Sequence, residues 1–286
     1  MKESTVYFTK DINSKNIVEI YKKLNINLEG NVAIKLHSGE KGNQNFLRPD
    51  FYEEIINHLN ATIVECNTAY DGERNESEKH KRLMEYHGWN KYNVDILDEK
   101  EEIKLEIKNP NHLKCNYVGK NIENYDSMLV ISHFKGHPMG GFGGALKNIS
   151  IGLASSYGKA YIHGAGEAEK IWTADHDSFL ESMAEAASSI MDYKKDKIAF
   201  INVMCNMSVD CDCCAKAEDP CMKDIGILAS LDPVALDQAC IDLVYNSSDP
   251  GKNHLIERIE SRNGTHTIDE AEKLNIGTKK YKLVEF

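Results

Sequence analysis

No stretch of this chain approaches the roughly 18 apolar residues in a row that a membrane-spanning helix needs, so no membrane partner is expected. Its N-terminus, Met1-Lys-Glu-Ser-Thr-Val-Tyr-Phe-Thr-Lys10, carries no apolar signal segment. Basic charge is in short supply. The 34 lysines and arginines stand against 45 acidic residues, and a net charge of -11 repels a phosphate backbone, which argues against nucleic acid. Familiar catalytic signatures are missing too. The chain has no Gly-x-Ser-x-Gly elbow and no His-Glu-x-x-His helix, which removes serine hydrolases and zincins. No Gly-Lys-Ser/Thr triplet or Gly-x-Gly-x-x-Gly run marks a P-loop or a dinucleotide fold. Repeats and low-complexity linkers are absent, so the 286 residues, 41% of them hydrophobic, are expected to form one domain over 1–286, divisible at most into lobes 1–165 and 166–286.

Against these absences stands one concentration. Five of the eight cysteines, Cys205, Cys211, Cys213, Cys214 and Cys221, follow directly on the apolar run Ile198 to Val203. Thiolates suit zinc, copper(I) and iron–sulfur clusters, and a loop leaving a strand can turn several sulfurs to one point. The segment is therefore expected to bind a metal or a cluster. Ordinary thiols or disulfides are the competing reading. Disulfides need an oxidising compartment; free thiols and the missing export signal point instead to a reducing cytoplasm. Cys66, Cys115 and Cys240 stand alone and read as small buried side chains.

Short apolar runs alternate with amphipathic segments, the pattern of an α/β fold with a mixed or mostly parallel sheet and helices on both faces. Strands are expected at 5–9, 31–37, 61–66, 102–108, 127–132, 198–204, 225–229 and 280–285. Helices are expected at 14–24 behind the cap Ser14, at 49–59 opened by Pro49, at 76–87 ended by Gly88, at 145–155, at 177–193, and from Pro233 to about Tyr245 behind Asp232. The spacing Thr267 to Glu270 predicts a capping box for one more.

Two strand-to-helix loops carry polar chemistry. The first runs from Ser132 to Asn148 and holds His133, Lys135, His137, Gly140, Gly141, Gly143, Gly144 and Lys147. In open α/β sheets ligands bind where strands end and helices begin. The glycines there let backbone amides approach an anion at a helix start, Lys135 and Lys147 add charge, and His133 and His137 serve as acid/base groups or ligands. The competing reading is a tight turn that needs positive φ. The second loop, Lys35 to Pro49, brings His37, Lys41 and Arg48 to the same edge if both strands are parallel, so His37, His133 and His137 are expected in one anion-binding pocket. His163, between an apolar pair and glycines, is an even choice between site and structure.

The segments His37 to Asn43 with Arg48-Pro49, Ser132 to Asn148, and Asp224 to Ala239 resemble the domain of unknown function 362 family, and the likeness covers nearly the whole chain. The resemblance implies an α/β fold and, through the label "iron-sulfur centre protein" that its members often carry, a cluster. Many relatives hold an inserted ferredoxin module between the glycine-rich half and the following helix; the corresponding stretch here, Gly166 to Asp177, has no cysteine. The cluster candidate is then the Cys205 to Cys221 loop, within which Asp210-Cys-Asp-Cys213 resembles the family core. The leading expectation is a cytoplasmic enzyme with an iron–sulfur cluster or another thiolate-bound metal such as zinc, acting on a small anionic metabolite in a redox step, with an electron-transfer partner. In that reading the five cysteines supply the ligands, His133, Lys135, His137 and His37 the chemistry, and Lys147, Asn148, Lys41, Arg48 and the glycines hold the anion. A metal or cluster carrier without catalysis and a metal-free enzyme that uses the histidine loops are the alternatives.

Overall fold

The apolar runs Ser127–His133 and Ile198–Met204 are buried along their whole length and lie side by side in parallel, with Ile201 opposite Ile131. The computed structural model describes residues 3–286, and a mixed, mostly parallel sheet grows around this pair. In chain order the strands are β1 (Ser4–Thr9), β2 (Val32–Lys35), β3 (Thr62–Glu65), β4 (Val94–Ile96), β5 (Glu102–Leu105), β6 (Asn116–Gly119), β7 (Ser127–His133), β8 (Lys135–His137), β9 (Gly141–Gly143), β10 (Ile198–Met204), β11 (Gly226–Ser230) and β12 (Tyr281–Glu285). The eight-stranded sheet has the order β12-β1-β11-β10-β7-β2-β3-β4, while β5 with β6 and β8 with β9 form two small ribbons. Within the large sheet β11 alone runs against its neighbours; the other strands share one direction.

The helices are α1 (Ser14–Lys23), α2 (Glu53–Leu59), α3 (Ser77–Tyr86), α4 (Ala145–Ser150), α5 (Ser156–His163), α6 (His176–Lys194), α7 (Pro233–Asn246), α8 (Lys252–Ser261) and α9 (His266–Lys273). Side chains two apart on a strand share a face. Met128, Val130, Ile198 and Phe200 pack in one core with α4, α6 and α7, and Leu129, Ile131, Ala199 and Ile201 in another with α1 and α2. With both faces covered, the central strands are continuously apolar instead of alternating. No helix among the described residues is long and apolar enough to cross a membrane.

Several elements depart from expectation. The strand expected at 102–108 lies in the β5–β6 ribbon, and the sheet's edge next to β3 is β4, only three residues long and interrupted by Asp95. The cap of α1 is Asn13, whose side chain accepts the Asn16 N–H, while the Ser14 hydroxyl receives the Glu54 N–H. The helix expected over 145–155 ends at Ser150, where Gly152 packs on the Asn148 carbonyl, and Ser155 caps a separate helix, α5, that was not expected. Thr267 does not cap: it lies inside α9 and its hydroxyl donates to the Leu180 carbonyl. Asp232 does, accepting the N–H groups of Val234 and Ala235 with Pro233 in the first turn.

One topological detail positions the site. Because β11 returns antiparallel to β10, the connection between them, Cys205 to Ile225, is a hairpin loop at the carboxyl edge of the sheet. The loops after β2, β3 and β7 leave from that same edge.

Candidate functional site

These four loops and α5 enclose a cavity of about 420 Å³, and His37, His133 and His137 all line it, together with Cys211 and Cys213. The loops are tied together by amide side chains. Asn43 donates to the carbonyls of Cys214 (2.9 Å) and Cys211, Gln44 to Ala217 (2.7 Å) and Asn45 to Glu218 (2.8 Å), while the Glu40 N–H donates to the Asp212 carbonyl (2.9 Å). The loop after β2 thus clamps the cysteine loop in place.

Three buried ion pairs stand around the cavity: Lys35 with Glu65 (2.7 Å), Arg74 with Glu40 (3.0 Å) and Lys135 with Asp212 (2.8 Å). Burial alone would push the carboxyl of Glu65 up, but the Lys35 ammonium and neighbouring cations hold it well below the usual carboxylate range; its Oε1 also accepts the N–H and hydroxyl of Ser38. Asp212 follows the same pattern, burial opposing and His133 and Lys135 prevailing. Its carboxylate accepts from His133 Nδ1 at 3.0 Å and from Lys135 Nζ, and His133 Nε2 donates to the Cys205 carbonyl at 2.6 Å. Each ring nitrogen of His133 therefore faces an oxygen acceptor, which holds the ring in place. Asp212 also sits inside the turn closed by the Cys214 N–H on the Cys211 carbonyl. Anchoring that one carboxylate orients the two cysteines that flank it.

His137, Cys211 and Cys213 bring one ligand atom each to within 4.8 Å of one another, with Cys213 Sγ 3.9 Å from His137 Nε2. His137 Nδ1 accepts the N–H groups of Met139 (3.1 Å) and Gly140 (2.9 Å), so its ring proton resides on Nε2, facing the sulfurs. Burial, then the charge of Lys147, lowers the pKa of His137 to about 4, and the ring is neutral. The hydrogen bond with Cys213, then burial, raises the Cys211 thiol to about 11. A cation held by these three atoms therefore displaces protons. His37 is neutral as well: burial and then Arg74 push its pKa well down, and its Nδ1 accepts the Gly39 N–H.

Other expected residues are elsewhere. Cys205 is buried behind His133, and Cys221 donates its thiol to the Met207 carbonyl; neither sulfur joins the cluster, and Cys214 is adjacent to it without completing it. Four thiolates thus do not converge. Lys41 pairs with Glu73 at the surface, and Arg48 stacks on Phe46 at 3.8 Å, both off the cavity wall. Gly140 and Gly141 are not on the wall either, whereas Gly143, Gly144, Lys147 and Asn148 are. The amides at the start of α4 do not await an anion, because the buried carboxylate of Asp237 accepts those of Ala145 (2.8 Å) and Leu146 (2.9 Å) and also receives Asn202 Nδ2 (2.7 Å). Gly144 is required there: a Cβ would meet that carboxylate at 2.4 Å. Lys147 has no carboxylate partner among the described residues. The turn expected after β7 is the β8–β9 ribbon, with Gly141 at φ +76°. Sequence reasoning missed Arg74, Glu65 and Lys159, whose side chains reach the cavity from a loop, a strand end and a helix that carry no motif, and left His163, also on the wall, undecided.

The model of a domain of unknown function, the 362 type, matches residues 32–242. No curated protein matches the chain. Solved structures similar to it include the lactate racemase apoprotein from Thermoanaerobacterium thermosaccharolyticum, at 16% identity and a TM-score of 0.43, covering 69% of this chain and 50% of that one. Another is a protein from Thermotoga maritima, at 12% identity and a TM-score of 0.43, covering 91% of this chain and 58% of that one. The chain spans only about half the length of these structures.

Proposed function

The chain belongs to the domain of unknown function 362 family, and from that premise we propose that it is a metal-dependent enzyme acting on a small anionic metabolite, with a single ion held by Cys211, Cys213 and His137 at the cavity wall. The observation that carries this reading is the convergence of two thiols and one imidazole on a wall that also presents an unpaired ammonium, Lys147. The donor set fits a borderline-soft ion such as zinc, and three protein ligands match catalytic sites that leave one position open. Two converging sulfurs favour a single ion over a four-thiolate cluster. Bound there, such an ion supplies Lewis acidity toward an oxygen of the substrate.

The chain's own groups do the rest. Lys147 holds the anion, Gly143 and Gly144 keep that wall free of side chains, and Asp212, itself fixed by His133 and Lys135, orients the cysteines. His37, neutral and pinned between Gly39 and Arg74, shapes the far wall. A cavity of this volume beside the thiols favours an enzyme over a carrier, which needs no pocket for a second molecule. Two free thiols as ligands support a reducing compartment, such as the cytoplasm, as the working site.

Because His137 Nδ1 accepts two amide N–H groups, Nε2 becomes a ligand only when the ring proton moves to Nδ1 and those two bonds are given up, which makes the thiolates the ligands on which binding depends. Equilibrium dialysis against zinc under reducing, anaerobic conditions should give about one ion per chain. The double variant Cys211→Ser/Cys213→Ser should bind none, while Cys205→Ser and Cys221→Ser keep the parent's content. Equal content in the double variant and the parent would refute the assignment.

A further inference from the structure

The buried basic groups of the cavity differ in one respect. Lys35, Arg74 and Lys135 each have a carboxylate at hydrogen-bonding distance, whereas Lys159, on α5 and 9% exposed, has none among the described residues. The bond made by its amine is to the Ala154 carbonyl, at 2.6 Å. Neighbouring acids are committed elsewhere. Glu65 pairs with Lys35, and Asp98 accepts the N–H groups of Asn67 (2.9 Å) and of Ser156 (2.8 Å). The thiol of Cys66 is pushed up by burial to about 12 and stays neutral. Burying an ammonium without a counter-ion is costly, and that cost shifts the balance toward the neutral amine. In line with this, burial lowers the pKa of Lys159.

Burial favours the neutral form of the Lys159 amine, which is a nucleophile, and its surroundings on the same wall suit one class of electrophile. One turn further along α5, His163 Nδ1 donates to the Lys159 carbonyl at 2.7 Å and its ring stacks on Phe179 with centroids 4.7 Å apart. Its Nε2 is left with no protein partner among the described residues, an open acceptor on a side chain that lines the cavity. Lys147, whose ammonium has no carboxylate partner among the described residues, lines the same cavity. The wall therefore offers a nucleophilic amine, a proton acceptor and a fixed positive charge.

We propose that Lys159 is a carbonyl-binding lysine that condenses with a small oxo acid, whose carboxylate Lys147 holds. The amine nitrogen bonds to the carbonyl carbon while the C=O π pair becomes an alkoxide; a proton passes from nitrogen to that oxygen through His163 Nε2. The nitrogen lone pair then forms the C=N bond as the C–O bond breaks, and the departing hydroxyl takes the remaining N–H proton, again through His163 Nε2, and leaves as water; no oxidant or reductant is consumed. This rests on the reading of the cavity as a small-anion site but is independent of the ion.

The test uses the protein as purified, with and without added zinc. It is incubated with glyoxylate, pyruvate or 2-oxoglutarate, reduced with borohydride and mapped by mass spectrometry. At least one acid should leave a stable adduct on Lys159, absent from Lys159→Met, and Lys147→Met should need about tenfold more acid for half-labelling, the loss of one charged hydrogen bond. Melting curves of both variants establish that they are folded. Labelling spread over exposed lysines with Lys159 unmodified, or no adduct with any of the three acids, overturns the proposal. An adduct at Lys159 in a protein that takes up no zinc upholds it while removing the metal-dependent reading.

Discussion

The folded protein should be sharply destabilised between pH 6.5 and 5. His80 is buried, His37 and His163 are half-buried, and all three are neutral: desolvation lowers His80 to about 3 and His163 to about 4, and His37 is pushed well down. Unfolded, each returns to an ordinary 6.5. With the folded values depressed, the unfolded chain binds more protons throughout this window, so stability is fully present above pH 6.5 and falls as pH drops. At pH 5 the difference is about 2 kcal/mol per histidine, or about 6 for the three, against a total of roughly 5–15 kcal/mol for a typical domain. Below about pH 4.5 the loss continues, because Glu65 and Asp212 are held well under the carboxylate range and must be protonated in their turn. Thermal melts from pH 8 to 4 measure the slope, and His80→Asn should flatten it by about one proton. A melting temperature constant from pH 7 to 5 would contradict the burial of these rings.

Removing the charge of Asp212 should be nearly as damaging. Asp212→Asn leaves Lys135 and His133 facing each other without the carboxylate that both contact, in a region where all three side chains are almost fully buried. Breaking one partner out of a buried ionic set costs about 3–5 kcal/mol, because the remaining charge is uncompensated. Urea unfolding of the variant gives the number. If uncompensated charge is the cause, Lys135→Met in the same chain should restore part of the loss, a coupling that two independent substitutions would lack. A cost under about 1 kcal/mol for Asp212→Asn would mean that the network does not hold the cysteine loop. The same variant should also weaken zinc uptake, since the carboxylate orients Cys211 and Cys213.

What the sequence made legible follows from what each residue needs to reveal itself. The runs around Val130 and Phe200 read as strands because both their faces are covered, and the histidines after β2 and β7 read as site residues because a parallel strand delivers its loop to a known edge. The strand around Asp95 was unreadable: three residues with a charge in the middle show no period. So was the β8–β9 ribbon, where Lys-Gly-His and Gly-Phe-Gly carry no alternation of apolar side chains and pair only because β7 delivers them face to face. Within the site, nearness in sequence overstated nearness in space. Cys205 and Cys221 belong to the same loop as Cys211 and Cys213, yet their side chains pack into other parts of the molecule; the pair around Asp212 converges because that carboxylate is anchored. Arg74 and Lys159 carried no local signal. A lysine in a helix is ordinary until the fold removes its counter-ion, and that is decided by α5 lying over the cavity rather than by any motif.

The central claim concerns the ligands of the bound ion, and X-ray absorption at the zinc edge of the loaded protein counts them directly. Two sulfurs at about 2.3 Å with nitrogen or oxygen neighbours at about 2.0–2.2 Å are the expected result, and replacing Cys211 and Cys213 by serine should remove the sulfur shell. A shell of four sulfurs would mean that two of Cys205, Cys214 and Cys221 swing in to build a thiolate cage, and a shell with no sulfur would put the ion elsewhere. Either result would contradict a Cys211–Cys213–His137 site facing the cavity.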